Sequence, residues 1–197
     1  MKSARMETQS DFAEVTRQRC WNTLSEMGWI QTYTGKHFYP LQPRAEDIDI
    51  RDIAHSLSMQ CRFNGHCRPF YSVAEHSVRV SRIVPASDAL WGLLHDASEA
   101  YVSDLPRPLK GLVPEFSAAE ERLQQLIARR FDLPWPIPDC VHEADNILLR
   151  TELRDVMPPL LEAWQMRVDP LTEGIVPVDS ATAERMFLNR YCELKRA

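Results

Sequence analysis

Glycine is scarce. Six glycines stand in 197 residues, at positions 28, 35, 65, 92, 111 and 174. No two are separated by a single residue, so the G-x-G-x-x-G dinucleotide fingerprint cannot be written anywhere. Gly35-Lys36 is followed by His37 rather than Ser or Thr, which excludes a P-loop. Long apolar runs are also missing. No stretch approaches the roughly 18 apolar residues of a membrane span, and the first 28 residues are mixed polar without the apolar centre of a signal peptide. Positive charge is in deficit, 23 Lys and Arg against 28 Asp and Glu, for a net charge of −5. Such a chain lacks the broad positive field of a non-specific nucleic-acid binder, so any phosphate it holds must be gripped locally. The five cysteines, Cys20, Cys61, Cys67, Cys140 and Cys192, are odd in number and contain no Cys-x-x-Cys pair. Cys61, His66 and Cys67 lack the second half of a zinc knuckle and are read as thiols in a reducing compartment. The expectation is a cytoplasmic protein that partners neither membrane nor nucleic acid.

What is present is an ordinary globular composition, 44% apolar and 26% charged. At roughly 150 residues per domain the length suits one domain with a short appendage. Helical periodicity dominates. Residues 10–27 read as an amphipathic helix ended by Gly28, and residues 1–28 as an extension before a domain over 29–197. Trp29 to Leu41, with Thr34-Gly35-Lys36 between aromatic and β-branched residues, predicts a short hairpin. From Asp49 the 3.6 period returns with Ile50, Ile53, Ala54 and Leu57. A loop from Met59 to Tyr71 leads to a helix capped by Ser72 and ended by Pro85. Further helices are expected from an N-cap at Ser87 to Tyr101, from Glu115 to Phe131, from Asp139 to about Met157, and from the N-cap Asp179 to about Leu194. The fold class is all-α: a compact helical bundle with a small β-hairpin near its start.

Ionisable residues interrupt the stripes that should be buried. His76 lies on the stripe of Val73, Val80, Ile83 and Val84. His95-Asp96 falls in the run of Leu90, Trp91, Leu94 and Ala97, with Glu99 one turn on. Asp145 is in line with Val141, Leu148 and Leu149. Burying such groups unpaired costs several kcal/mol each, roughly. One shared divalent cation would satisfy all of them. Two imidazoles and two carboxylates suit cobalt, manganese, zinc, nickel or iron. The competing reading is a set of unrelated buried polar residues, each bonded locally. His37 and His55 read as structural and His142 as exposed.

The order His76, His95-Asp96, Asp145 resembles the H…HD…D signature of the HD-domain metal-dependent phosphohydrolases, an all-α family. The context sharpens the resemblance: Ser72-Val73-Ala74-Glu75-His76-Ser77, then Leu94-His95-Asp96-Ala97-Ser98-Glu99-Ala100, continuing as Ser103-Asp104-Leu105-Pro106-Arg107-Pro108-Leu109-Lys110. HD-x-x-E followed by D-L-P-x-P-x-K is similar to the 5′-deoxynucleotidase branch. Cys61-Arg62-Phe63-Asn64-Gly65-His66 and Thr34-Gly35-Lys36-His37-Phe38-Tyr39 resemble its prophage and phage members, which include dATP triphosphohydrolases. Two other branches fit worse. Cyclic-dinucleotide phosphodiesterases carry Gly and Lys after the HD pair, where this chain has Ala97-Ser98. Guanosine tetraphosphate hydrolases place a second acid where Ala100 stands. The monophosphate-specific enzymes have Trp where this chain has Phe63.

The resemblance spans about residues 29–187 and implies a role for each matching residue. His76, His95, Asp96 and Asp145 would hold one divalent transition metal, with additional Mg for triphosphate substrates. Glu99 and Asp104 would be the catalytic carboxylates. Arg62 and Lys110 would contact phosphate, Phe63 would lie near sugar and base, and His66 would face the site from its loop. The implied activity is removal of 5′-phosphate from 2′-deoxynucleotides, as monophosphates or as dATP and other triphosphates, by a homo-oligomer. The alternatives are an HD fold that binds a nucleotide or a protein without turnover, and a hydrolase of another phosphorylated nucleotide.

Overall fold

A computed structural model describes residues 28–159 and 168–196; the helix expected over 10–27 lies outside them. The described chain is helical apart from one hairpin, as the periodicity predicts. Strands β1 (Ile30–Gln31) and β2 (His37–Phe38) pair antiparallel, Ile30 opposite Phe38 and Gln31 opposite His37. Gly35 takes φ +82° in the connection, a conformation glycine adopts without steric cost. Helix α1 (Ile50–Met59) is capped by Asp49, which accepts from Arg51 N. Its buried Asp52 takes the amide and hydroxyl of Thr34 at 2.7 and 3.0 Å, anchoring the hairpin turn to the helix.

Helix α2 (Val73–Ile83) is the axis of the molecule. Ser72 caps it by accepting from Glu75 N. Helices are normally wet on one face, whereas this one is buried almost all round. Its polar residues are therefore satisfied internally. Ser77 donates to the Val73 carbonyl and Ser81 to that of Val78, while Glu75 binds Arg79 and the Val178 amide.

Next come α3 (Ala89–Leu94), α4 (Glu99–Val102), α5 (Arg107–Lys110), α6 (Pro114–Phe131), α7 (Asp139–Asp155) and α8 (Ser180–Leu194). Asp179 caps α8 through Thr182 N. Two apolar clusters flank α2. One joins α1, α3, α6 and α8 through residues such as Leu57, Leu94, Leu123 and Phe187. The other joins α2, α3 and α7 through Val80, Trp91, Val141 and Leu148.

One element departs from expectation. The helix expected from Ser87 to Tyr101 is broken: a 3-10 turn covers Ala86–Asp88, α3 stops at Leu94, and His95 to Ser98 form a turn before α4. Ser87 is not an N-cap, and Asp88, which occupies that place, makes no side-chain cap bond. The interrupted segment is bound from another helix. Gln124 of α6 donates its side-chain amide to the carbonyls of Leu94 and His95, at 3.0 and 2.8 Å. The backbone beyond runs on tighter i→i−3 bonds, Ala97 to Leu94 and Glu99 to Asp96. Helix α7 ends at Asp155, two residues earlier than expected. Among the described residues no helix is long and apolar enough to cross a membrane.

Candidate metal centre

His76 comes from the middle of α2, wholly buried, because its stripe packs into the core. His95 and Asp96 come from the Gln124-bound turn after α3, and Asp145 from the inward stripe of α7. Their donor atoms meet. His76 Nε2 lies 3.3 Å from His95 Nε2, 3.2 Å from Asp145 Oδ1 and 3.7 Å from Asp96 Oδ2, and His95 Nε2 is 3.3 Å from Asp96 Oδ2. Two donors each about 2.1 Å from one cation stand about 3.0 Å apart at a right angle and about 3.4 Å at a tetrahedral one. The His76–His95 and His76–Asp145 spacings match such a set, whereas Asp96 flanks the two imidazoles, 3.7 Å from His76 Nε2, and stands outside the group of mutually close donors. His76, His95 and Asp145 form a group that could hold a metal ion.

Both rings are oriented for it. His95 Nδ1–H donates to the Gly92 carbonyl at 2.9 Å, which leaves the lone pair on Nε2. His76 Nδ1–H donates to Glu152 Oε1 at 2.6 Å. Burial and the Arg62 guanidinium both act to lower the His76 pKa, but Glu152 and Asp145 outweigh them and bring it up to about 9. Burial acts to raise that of Asp145; the hydrogen bond and charge of His76, with His95 and Arg62 beyond, hold this carboxyl well below the usual range. Asp145 therefore presents negative charge at the His76 Nε2 that faces His95, where a bound cation would take the place of the ring's proton.

Arg62 stands on the loop between α1 and α2. That loop is closed at its base by the Cys61–Ser72 bridge and by Arg62 N donating to the Tyr71 carbonyl. This closure carries the guanidinium to the centre, where it donates to Glu152 Oε2 at 3.0 and 3.1 Å and lies 3.7 Å from Asp96 Oδ2. Phe63 packs under it, ring centroid 5.4 Å from Cζ. Phe63 and Asn64 hold φ of 53° and 51°, left-handed values that bulky residues such as Phe rarely adopt. Glu99 has its pKa pushed well up by burial, then by Asp96 and Asp104.

The remaining candidates sit apart. Lys110 pairs with Glu120 at 2.9 Å and with Asp104 at 3.5 Å, and among the described residues neither Lys110 nor Asp104 forms an ion pair with the cluster. His66 is exposed and its side chain makes no hydrogen bond in the described structure. His37 stacks on Trp29, and His55 stacks on Tyr33 and pairs with Glu184. Cys61, Cys67 and Cys140 are half-buried free thiols.

Two residues of the site escape a reading by motif, Gln124 and Glu152. Glu152 had a signal: it follows Asp145 by seven residues, on the same inward stripe as Leu148. Gln124 had none.

No family model matches the chain. It is 42% identical over 176 residues to YfdR of Escherichia coli (strain K12), described as an uncharacterized protein, covering 85% of this chain and 96% of that one. It is 33% identical over 142 residues to the uncharacterized protein RCAP_rcc00048 of Rhodobacter capsulatus, covering 65% of this chain and 72% of the relative. The chain belongs to the family that includes YfdR.

Proposed function

We propose that this protein is a divalent-metal-dependent phosphohydrolase of the HD-domain type, removing 5′-phosphate from 2′-deoxynucleotides. One observation carries the reading: two imidazole Nε2 atoms and the Asp145 carboxylate, from three separate segments, converge on one another, with the Asp96 carboxylate and a fixed arginine beside them. The donor set of His76, His95, Asp96 and Asp145 fits a transition metal with positions left for other ligands. Bound there, such a metal supplies Lewis-acid polarisation of a phosphoryl oxygen and acidifies water.

The protein's own groups do the rest. Phosphoryl transfer rests mainly on positioning and charge neutralisation, so Arg62 serves as the phosphate-binding arm in a chain of net charge −5. Glu99, its carboxyl biased toward the protonated form, is suited to exchange a proton with water or with the leaving 5′-oxygen. Asp104, paired with Lys110, would be the second catalytic carboxylate, and Lys110, held by Glu120, would have to leave that partner to contact phosphate.

The test is a panel of deoxynucleoside mono-, di- and triphosphates with Co, Mn, Zn and Mg, products separated. Release of phosphate, pyrophosphate or triphosphate together with the deoxynucleoside is expected and identifies the bond cut. Stoichiometric metal without turnover of any member would favour a nucleotide-binding module.

A further inference from the structure

Glu152 is a wholly buried carboxylate whose two oxygens serve different customers. Oε1 accepts from His76 Nδ1–H at 2.6 Å, and Oε2 accepts from Nε and Nη2 of Arg62 at 3.1 and 3.0 Å. The contrast with the other imidazole is informative. His95 Nδ1–H goes to a backbone carbonyl, whereas His76 Nδ1–H goes to a side-chain oxygen that is itself held by Arg62, which fixes the ring with Nε2 toward the centre. The same carboxylate holds one edge of the Arg62 guanidinium. Nη1 is left on the side of Asp96, at 3.7 Å, facing the centre. A guanidinium fixed on one edge offers the other to a phosphoryl group without losing freedom on binding.

We propose that Glu152 is a positioning residue shared by two sites, aiming His76 at the metal and Arg62 at phosphate. This rests on the reading of the cluster as a metal centre.

Glutamine separates the two tasks, since its oxygen can still accept from His76 while its amide opposes the Arg62 donors. Co²⁺ alone is titrated into the wild type, Glu152→Gln and Glu152→Ala, and inorganic phosphate is then titrated into each Co²⁺-loaded protein. Glu152→Gln should bind Co²⁺ within about threefold of wild type but phosphate about tenfold more weakly. Glu152→Ala should lose about 10–100-fold in Co²⁺ affinity as well. A residue that only packs would give losses that follow the fall in Tm in both variants, with no split between ligands, and that result overturns the proposal. So do wild-type affinities for both ligands in Glu152→Gln. If Glu152→Ala fails to fold, the near-isosteric Gln variant carries the test. A wild type that takes up no Co²⁺ overturns the metal-centre reading, and this proposal with it.

Discussion

Asp96 Oδ2 lies within 3.7 Å of three nitrogens: His76 Nε2, His95 Nε2 and Arg62 Nη1. Its side chain is 20% exposed and belongs to neither apolar cluster, so its removal should cost little packing. Asp96→Ala is expected to abolish metal binding and turnover while leaving helix content unchanged, as read by metal analysis and circular dichroism. Glu99→Gln should keep the metal and lose about 10²–10⁴-fold in rate, the usual weight of a general acid–base group. Stopped assays on the metal-loaded variant check it. Asp49 supplies a pH dependence away from the site. Its hydrogen bonds with Arg51, backed by Lys36 and opposed by burial, hold its carboxyl below the ordinary range. A group depressed in the folded state adds stability above its unfolded pKa, about 3.9. That contribution fades as pH falls through the lower folded value. Asp49→Asn, which still caps α1, should therefore be less stable than wild type at pH 7, with the gap narrowing below about pH 4 in urea titrations.

At the scale of elements, the approach of α3 to α2 decides where His95 points. Gly92 is the contact: a Cβ there would stand 2.9 Å from Ser81 Cα and 3.0 Å from Val84 Cγ2. Backbone cannot yield as a flexible side chain can, so Gly92→Ala must push the helices apart. The same residue's carbonyl holds His95 Nδ1–H. Gly92→Ala is expected to cost about 1–3 kcal/mol of stability and to weaken Co²⁺ binding, measured by thermal unfolding and by titration. Gln124 works from the other side. Its amide donates to the carbonyls of Leu94 and His95 and so holds the turn that carries His95 and Asp96. Without it the Leu94 carbonyl keeps its bond from the Ala97 amide, while that of His95 loses this donor, a loss of about 1–3 kcal/mol for a buried group.

For the whole molecule, the centre ties together α2, α7 and the turn between α3 and α4, segments spread from residue 76 to residue 145. A ligand that binds only the folded arrangement stabilises it by about 2.7 kcal/mol at a hundred times its Kd. In a chain of this size that corresponds to a Tm rise of about 5–10 °C. Chelation should lower Tm by that amount, and Co²⁺ or Mn²⁺ should restore it, in scanning calorimetry. An unchanged Tm would argue that the cluster holds no metal.

Much of this was legible in the order of residues. The 3.6 period marks the helices, Ser72 and Asp179 mark their starts, and Thr34-Gly35-Lys36 marks the hairpin, because each is a local preference of backbone and side chain. His76, Asp96 and Asp145 stood out for a related reason: a charged group on an apolar stripe is costly unless something compensates it. What no local rule contains is the meeting of elements distant in the chain. The break after Leu94, bound by Gln124 thirty residues on, falls in a helical pattern that runs unbroken in the sequence. Glu152 reads as one more acid on a charged helix until the fold sets it between His76 and Arg62, 76 and 90 residues away. Periodicity reports which face is buried; only packing decides what that face meets, because a buried polar group takes its partner from whichever element lies against it.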